Sequence, residues 1–588
     1  MCGIAGLQAA PEAASPDAAR LARLAAALAH RGPDGTGHSV VARAALIHTR
    51  LAIIDLAGGD QPLFAGPAAL VGNGEIYNYR ELRAAMPEVA FATHSDNEPP
   101  LHLWRAEGAA YARKLRGMYA LAIHDRAART LTLTRDPFGI KPLYVAETAE
   151  GIAFASEAQA LLAAGIVPRG LRPAARDELL QMQFTTGRET IFPGISRVLP
   201  GETLTCAEGR IIGHDHVPAL PEGGTEEIGE EAALARLERA LSESVDLHQR
   251  ADVPYGMFLS GGIDSAAVLT IMARLNTKPV LAFTAGFDVP GAADEREAAA
   301  AVARAAGARH ESVTVSEAEV WRHLPHIVAC MDDPAADFAI IPTWFLARRA
   351  RQEVKVVLSG EGGDEMLAGY GRYRNAMRPW WLGGRIMRAR GTFDRVDVLR
   401  ARPAAWRDGF AAAEAQAAGA GRTRLGAAQA TDMADWLPND LLIKLDRCLM
   451  AHAVEGRTPF LDPAVAAACF RLPDALKVRR GMGKYLLRQW LARACPAARP
   501  FAPKQGFTVP VGAWIAGQGA RLGPLVAAQP GVAEIAEASR VVSLFRNAGA
   551  KRPGMAAWTL LFYALWHRAH VLGLPPNGGD VFETLAAR

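Results

Sequence analysis

Phe258-Leu259-Ser260-Gly261-Gly262-Ile263-Asp264-Ser265 carries an apolar strand into a Ser/Gly turn and directly on into a helix start. The glycines let the backbone approach a ligand, and free N–H groups at the turn and at the helix N-terminus can hold a pyrophosphate. The Walker pattern GxxxxGK[ST] is absent, so Asp264 is the candidate holder of the Mg2+ that accompanies ATP. Chance occurrence of SGGxDS in any one window is on the order of one in a million. A plain Gly-rich strand-to-helix turn is the competing reading.

Around this loop, strand and helix alternate. A strand at 257–259 precedes a helix at 265–275, one at 280–284 precedes a helix at 295–306, and one at 354–358 empties into Ser359-Gly360-Glu361-Gly362-Gly363-Asp364-Glu365. Such alternation predicts a parallel sheet covered by helices, whose carboxyl edge is where open α/β sheets bind ligands. Asp364 then offers a second metal ligand and Glu361 a carboxylate near the reacting centre. A solvated acidic turn is the alternative. From about 373 to 588 the pattern is mostly helical, without internal repeats.

Residues 1–195 read differently, as short β-rich runs at 45–54, 68–72, 118–124, 130–134 and 152–155, separated by Gly, Pro and Asn. One helix, 17–29, follows Ser15-Pro16 and carries Leu21, Leu24 and Leu28 on one face. This pattern predicts stacked antiparallel sheets. Between 196 and 228, Pro200-Gly201, Pro218, Pro221 and Gly223-Gly224 lead to an acidic run, which reads as a linker.

The first residues bear their own chemistry. Loss of Met1 would make Cys2 the first residue, and its α-amino group, with an ordinary pKa of about 7.7–8.0, could take the thiol proton. The alternative is a small residue opening a strand. Asn73 and the Gly74 N–H can supply donors for an oxyanion. Arg50, with Glu75 and Asp96, offers a cation for the carboxylate and anions for the ammonium of an α-amino acid. Asn73-Gly74 could instead be a hairpin turn.

Composition excludes several classes. The 588 residues allow two to four domains, and a 50% hydrophobic, 21% charged chain can bury a core. A net charge of +4 from 65 basic and 61 acidic residues gives no nucleic-acid footprint. The longest apolar stretch, 555–566, ends at His567 and Arg568 and reads as a buried helix, not a membrane span. No signal peptide is recognisable. The six cysteines, at 2, 206, 330, 448, 469 and 495, form no CxxC pair, which suits a cytoplasmic protein.

CGIAGL (2–7), HRGPDGTG (30–37), RLAIIDL (50–56), NGEIYN (73–78), RDPFGIKPLY (135–144), SGGIDS (260–265), SGEGGDE (359–365), LLIKLDRCLMAHAVEGRTPFLD (441–462), GKYLLR (483–488) and KQGF (504–507) follow one another in order. Through them the chain resembles the glutamine-dependent asparagine synthetases over nearly its whole length. The resemblance implies an α+β N-terminal-nucleophile sandwich (αββα) as glutaminase domain over 2–195. The linker at 196–228 would lead to an α/β parallel-sheet ATP pyrophosphatase-type synthetase domain with a helical C-terminal part over 229–588. An ammonia tunnel would join the two.

It further implies that Cys2 attacks the glutamine amide to form a thioester, with Asn73 and Gly74 as oxyanion hole. Arg50, Leu51, Ile53, Ile54, Glu75 and Asp96 would hold the glutamine. Leu259, Ala285, Ser359 and Gly360 would contact the adenylate, and Ser260, Gly261, Gly262, Asp264 and Ser265 the pyrophosphate. Asp264 and Asp364 would hold Mg2+. Glu361 would face the acyl-adenylate, and Lys484 would stabilise developing negative charge, a surface lysine being its alternative. The substrates implied are glutamine, ATP and aspartate, passing through β-aspartyl-AMP to asparagine, AMP, pyrophosphate and glutamate; family analogy adds a homodimer.

Two departures stand out. The family's aspartate-pocket segment has an arginine, whereas 332–343 (DDPAADFAIIPT) has none, which opens the reading of another carboxylate acceptor, from cell envelope, polysaccharide or secondary metabolism. After Ser95-Asp96, Pro99-Pro100 replaces the usual aliphatics and is expected to disturb a helix start and shift Asp96.

Overall fold

The computed structural model describes residues 2–289, 294–379, 381, 384–419, 421–503 and 509–587; KQGF at 504–507 lies outside them. The first region contributes twelve strands: β1 (Gly3–Ala9), β2 (Gly35–Val41), β3 (Ala44–Arg50), β4 (Leu63–Ala65), β5 (Ala68–Ile76), β6 (Gly117–Asp125), β7 (Thr130–Arg135), β8 (Tyr144–Thr148), β9 (Gly151–Ala155), β10 (Ser196–Arg197), β11 (Glu202–Ala207) and β12 (Arg210–His216). They form two antiparallel sheets, ordered β10-β8-β9-β1-β3-β2 and β12-β11-β7-β6-β5-β4.

The two-residue period of each strand sorts its side chains between layers. Ile4, Leu46, Val71, Ala120, Phe154 and Leu204 meet between the sheets. Ala5, Leu7, Ala45 and Ile47 turn outward onto Leu24 and Leu28 of the helix Ala18–Leu28. On the other outer face Leu70, Leu121 and Ile123 receive Leu82, Leu101 and Leu103 from two further helices. The result is the expected αββα sandwich.

Two expectations need correction. Residues 196–216 are not linker, because β10 closes one sheet and β11–β12 extend the other. Their turn residues mark hairpin ends, and the segment without regular structure is 217–229. Nor do Pro99 and Pro100 disturb the helix Glu98–Glu107, since both sit in its first turn, where no N–H is needed for the helical ladder. Glu98 instead caps the preceding loop, accepting from the Ala92 and Thr93 amides at 2.7 and 2.8 Å.

The second region is built on a parallel sheet of β13 (Tyr255–Phe258), β14 (Leu281–Phe287), β15 (Arg309–Val315), β16 (Val356–Leu358) and β17 (Glu455–Arg457), ordered β15-β14-β13-β16-β17. Helices bury both faces, as the alternation predicts. The helix Lys551–Trp566 is buried along 556–566, and among the described residues no helix is long and apolar enough to cross a membrane.

The sandwich sits against the amino ends of three of these strands. Asp252, ahead of β13, donates its amide to Ile53 O at 2.9 Å. Lys355, ahead of β16, pairs with Asp34 at 2.7 Å, and Lys141 Nζ donates to Gly456 O of β17 at 3.4 Å. Behind these contacts lies a buried charge network. Arg31 binds Glu157 at 2.7 Å and Asp446 at 2.8 and 3.1 Å; Arg447 binds Asp332 at 2.6 Å, and Arg197 grips Asp333 at 2.7 and 2.6 Å. Burial alone would raise the Asp446 carboxyl, but Arg31, reinforced by Arg447, holds it at about 2.

Asp446→Ala leaves Arg31, in a dry interface, with Glu157 as its one carboxylate partner of the two described and should cost about 3–5 kcal/mol, measured by denaturant titration. With an unfolded aspartate near 3.9, the contribution of Asp446 is complete above about pH 4 and is lost as pH falls toward 2. The variant's stability should therefore be flatter than that of the wild type over this range.

Candidate active sites

Cys2 lies at the start of β1, buried, its Sγ 3.9 Å from Leu51 O. Burial pushes its thiol pKa up. The Cys2 amide donates to Asn73 Oδ1 at 3.1 Å, and Arg31 Nε donates to Cys2 O at 3.1 Å. Asn73 and Gly74 stand within β5, so the hairpin-turn reading fails. Asn73 Nδ2 is buried with no hydrogen-bond partner among the described residues. Gly74 has φ +146°, and a Cβ there would come 2.0 Å from Met118 O, so only glycine fits.

Arg50, at the end of β3, is oriented by the loop it precedes, donating to Asp55 O at 2.6 Å and Leu56 O at 3.2 Å and pairing with Asp60 at 2.8 Å. Leu51 and Ile53 are buried and Ile54 half-buried. Asp96 Oδ2 accepts from the Ile76 amide at 2.8 Å, which ties it to the strand carrying Glu75. Burial pushes Asp96 up to about 6 despite that bond and the Asn97 amide. Glu75 is also raised, by burial and by the neighbouring Asp96 and Glu455, against Arg457. Two buried carboxyls with raised pKa values form a place that gains by taking up a cation.

The second site is a cavity of about 270 Å³ at the carboxyl edge of the parallel sheet. Its walls include Leu259, Ser260, Asp264, Ser265, Ala285, Ser359, Gly360, Glu361 and Asp364, nine of the expected residues. The two Gly loops touch, since a Cβ on Gly360 would lie 2.7 Å from Ser265 N. Gly261 and Gly262 do not line it. The Gly261 amide donates to Glu295 at 3.0 Å and the Gly262 amide to Ser260 Oγ at 3.1 Å.

Lys484 is no surface lysine. It is buried, holds a left-handed φ of +56°, and places Nζ against both Asp264 and Asp364, the latter at 2.6 Å. Burial opposes its charge, yet the two carboxylates raise its pKa. Two hard oxygen donors converging on one positive charge fit Mg2+, which keeps waters and substrate phosphates in its shell. Among the described residues no cluster of three or more His, Cys, Asp and Glu forms a full protein cage.

Lys444 escaped the residue-level reading. It lines the cavity, pairs with Asp337 at 3.0 Å, and opposes the burial that raises Glu361. The available signal was a pair of cations, Lys444 and Arg447, inside the apolar run LLIKLDRCLM, which must be partnered if buried. Glu295, one of four consecutive charges in Asp294-Glu295-Arg296-Glu297, and Arg457, inside the quoted stretch AHAVEGRTPFLD, were also missed, because nothing local says which charge of a run faces a site.

A family model described as "Asparagine synthase" matches residues 236–568, and one described as "Glutamine amidotransferase domain" matches residues 1–216. A putative asparagine synthetase [glutamine-hydrolyzing] of Mycobacterium bovis is 35% identical across 97% of both chains. The chain belongs to the glutamine-hydrolysing asparagine synthetase family. Asparagine synthetase [glutamine-hydrolyzing] 1 of Bacillus subtilis is 30% identical, again across 97% of both chains. The amidase chyE of Penicillium rubens is 31% identical over 59% of this chain and 54% of its own. As a family member, the protein is an enzyme that forms C–N bonds with glutamine as amide donor and ATP as substrate.

Lys484→Met removes the cation shared by Asp264 and Asp364. Titrated Mg2+ should then raise the thermal midpoint by several degrees more than in the wild type. Equal responses would mean that the aspartate pair takes no divalent cation.

Proposed function

We propose that the protein transfers the amide nitrogen of glutamine to a carboxylate activated by ATP, with L-aspartate as acceptor and L-asparagine as product. The observation that carries this reading is Asn73 Nδ2, without a partner among the described residues, beside Cys2 in the sandwich that packs on the amino ends of the parallel strands, whose carboxyl edge carries the cavity holding Asp264, Glu361 and Asp364. One pocket is equipped to open an amide and the other to activate an acid.

Cys2 Sγ attacks the amide carbon while Asn73 Nδ2 and the Gly74 N–H take the charge on the carbonyl oxygen. The thiol proton, carried by the α-amino group of Cys2, passes to the nitrogen, which leaves as ammonia, and water later releases glutamate from the thioester. Arg50 holds the glutamine carboxylate; Glu75 and Asp96 hold its ammonium, and Leu51, Ile53 and Ile54 close around it. In the cavity a carboxylate oxygen attacks the α-phosphorus of ATP and pyrophosphate departs. Leu259, Ala285, Ser359 and Gly360 orient the adenylate. Ser260, Ser265, Gly261 and Gly262 receive the pyrophosphate, whose arrival must displace Glu295 from the Gly261 amide.

Mg2+, held by Asp264 and Asp364, would neutralise phosphate charge when bound. Lys484 adds a second positive charge there. Ammonia attacks the acyl carbon, Glu361 takes its proton, and AMP leaves. Burial raises the proton affinity of Glu361, which suits a base for a weakly acidic N–H. Ammonia must cross the buried interface unprotonated, because ammonium has no lone pair to attack with.

A second acceptor is favoured by one observation. Asp332, Asp333 and Asp337 are all committed to arginine or lysine partners, and Lys444 is the one cation of the described cavity wall. Aspartate also needs a cation for its spectator carboxylate, so a different carboxylic acid would suit this wall. Pyrophosphate release with glutamine, ATP and Mg2+, with and without L-aspartate, decides between them. Aspartate-dependent release with matching asparagine supports the first acceptor; glutaminase activity without an aspartate response supports the second.

Cys2→Ala should abolish glutamine-driven synthesis, by about 10³-fold or more, and leave synthesis from ammonium salts intact. Because the glutamine ammonium needs ionised carboxylates, kcat/KM for glutamine should fall as pH drops below about 6, with Asp96 taking up its proton. A limb near pH 4 would remove Asp96 from glutamine binding.

A further inference from the structure

Arg457 is a single residue with a contact to each site. Its backbone belongs to β17, paired with β16 through Leu358, and its carbonyl accepts the Ser359 amide at 2.9 Å. Ser359 and Gly360 are walls of the nucleotide cavity. Its guanidinium runs the other way, into the sandwich, with Nη2 3.3 Å from Glu75 Oε1. Nε binds Glu455 at 2.6 Å, and Nη1 donates to His248 O at 2.9 Å and Arg250 O at 2.7 Å.

Two properties make this more than a tie. The side chain is fully buried, so water cannot replace its contact with Glu75. And Glu75, raised by burial, Asp96 and Glu455, has Arg457 as the guanidinium opposing that shift. A small movement of Arg457 therefore changes how readily Glu75 ionises. The planar fork, pinned at three other points, transmits backbone displacement where a flexible lysine would absorb it.

We propose that Arg457 is a positioning residue that couples the two sites, so that a nucleotide against Ser359 and Gly360 alters glutamine binding through Glu75. This rests on the reading of Glu75 as a partner of the glutamine ammonium. Coupling of this kind is reciprocal, and each ligand changes the affinity of the other by the same factor.

The test measures glutamate release by the full-length protein over a range of glutamine concentrations, with and without saturating Mg·ATP. In the wild type ATP should change KM for glutamine by about fivefold or more. Arg457→Lys keeps the charge without the fork and should bring that ratio close to one, while calorimetry gives an unchanged Kd for ATP. Arg457→Met should also move the acid limb of kcat/KM for glutamine to higher pH. A merely structural role would lower kcat and leave the ATP ratio and the limb where they were, which overturns the proposal.

If neither variant folds, Cys2→Ala protein binds glutamine without turnover. Glutamine should then change its Kd for ATP, and Glu455→Gln, which loosens Arg457 without deleting it, should weaken that effect. No mutual effect, or one indifferent to Glu455, overturns the proposal. Cys2-dependent hydrolysis that ignores ATP sinks the coupling alone. Hydrolysis that survives Cys2→Ala sinks the underlying reading of the glutamine site.

Discussion

Three buried arginines hold the molecule in register. All three are at most 2% exposed: Arg31 and Arg197 of the sandwich meet Asp446 and Asp333 of the second region, and Arg447, held by Asp332, reaches back to Ser156 O of the sandwich at 3.3 Å. Charges removed from water are tolerated only with partners at hydrogen-bonding distance, so the two regions have few alternative ways to sit together. Arg31 ties this constraint to chemistry at both ends. Its Nε holds the carbonyl of Cys2, and its Nη atoms hold Asp446, two residues from Lys444 in the cavity wall.

That registration places a thin partition between the sites. β13, β16 and β17 have four, three and three residues, about 10–13 Å at 3.3 Å per residue. The glutaminase side packs on their amino ends, and the Gly loops leave β13 and β16 at their carboxyl ends. The same short strands make Arg457 both a sheet residue and a neighbour of Glu75.

The loops were legible in the sequence because their function demands unusual residues. SGGIDS and SGEGGDE need glycines where backbones touch, and NGEIYN needs one where β5 passes close to β6. The strands were legible through their two-residue period. The linker was misjudged because β12 alternates half-buried and exposed residues at a sheet edge, a pattern that Pro and Gly turns on either side make resemble loop. Pro99-Pro100 was misjudged because proline breaks a helix interior but suits its first turn, and only the structure fixes where that turn begins.

The sequence alone determined the order of the domains, the family, the parallel sheet and most of the residues gathered at each site, since these follow from local pattern and from motifs that single stretches must carry. Tertiary structure decided which charges meet. Lys444 with Asp337, Lys484 between Asp264 and Asp364, and Arg457 beside Glu75 are separated by 107, 220 or 120, and 382 positions. No local propensity links such pairs; the cost of burying each charge alone does, and that cost exists only once the chain has folded around it.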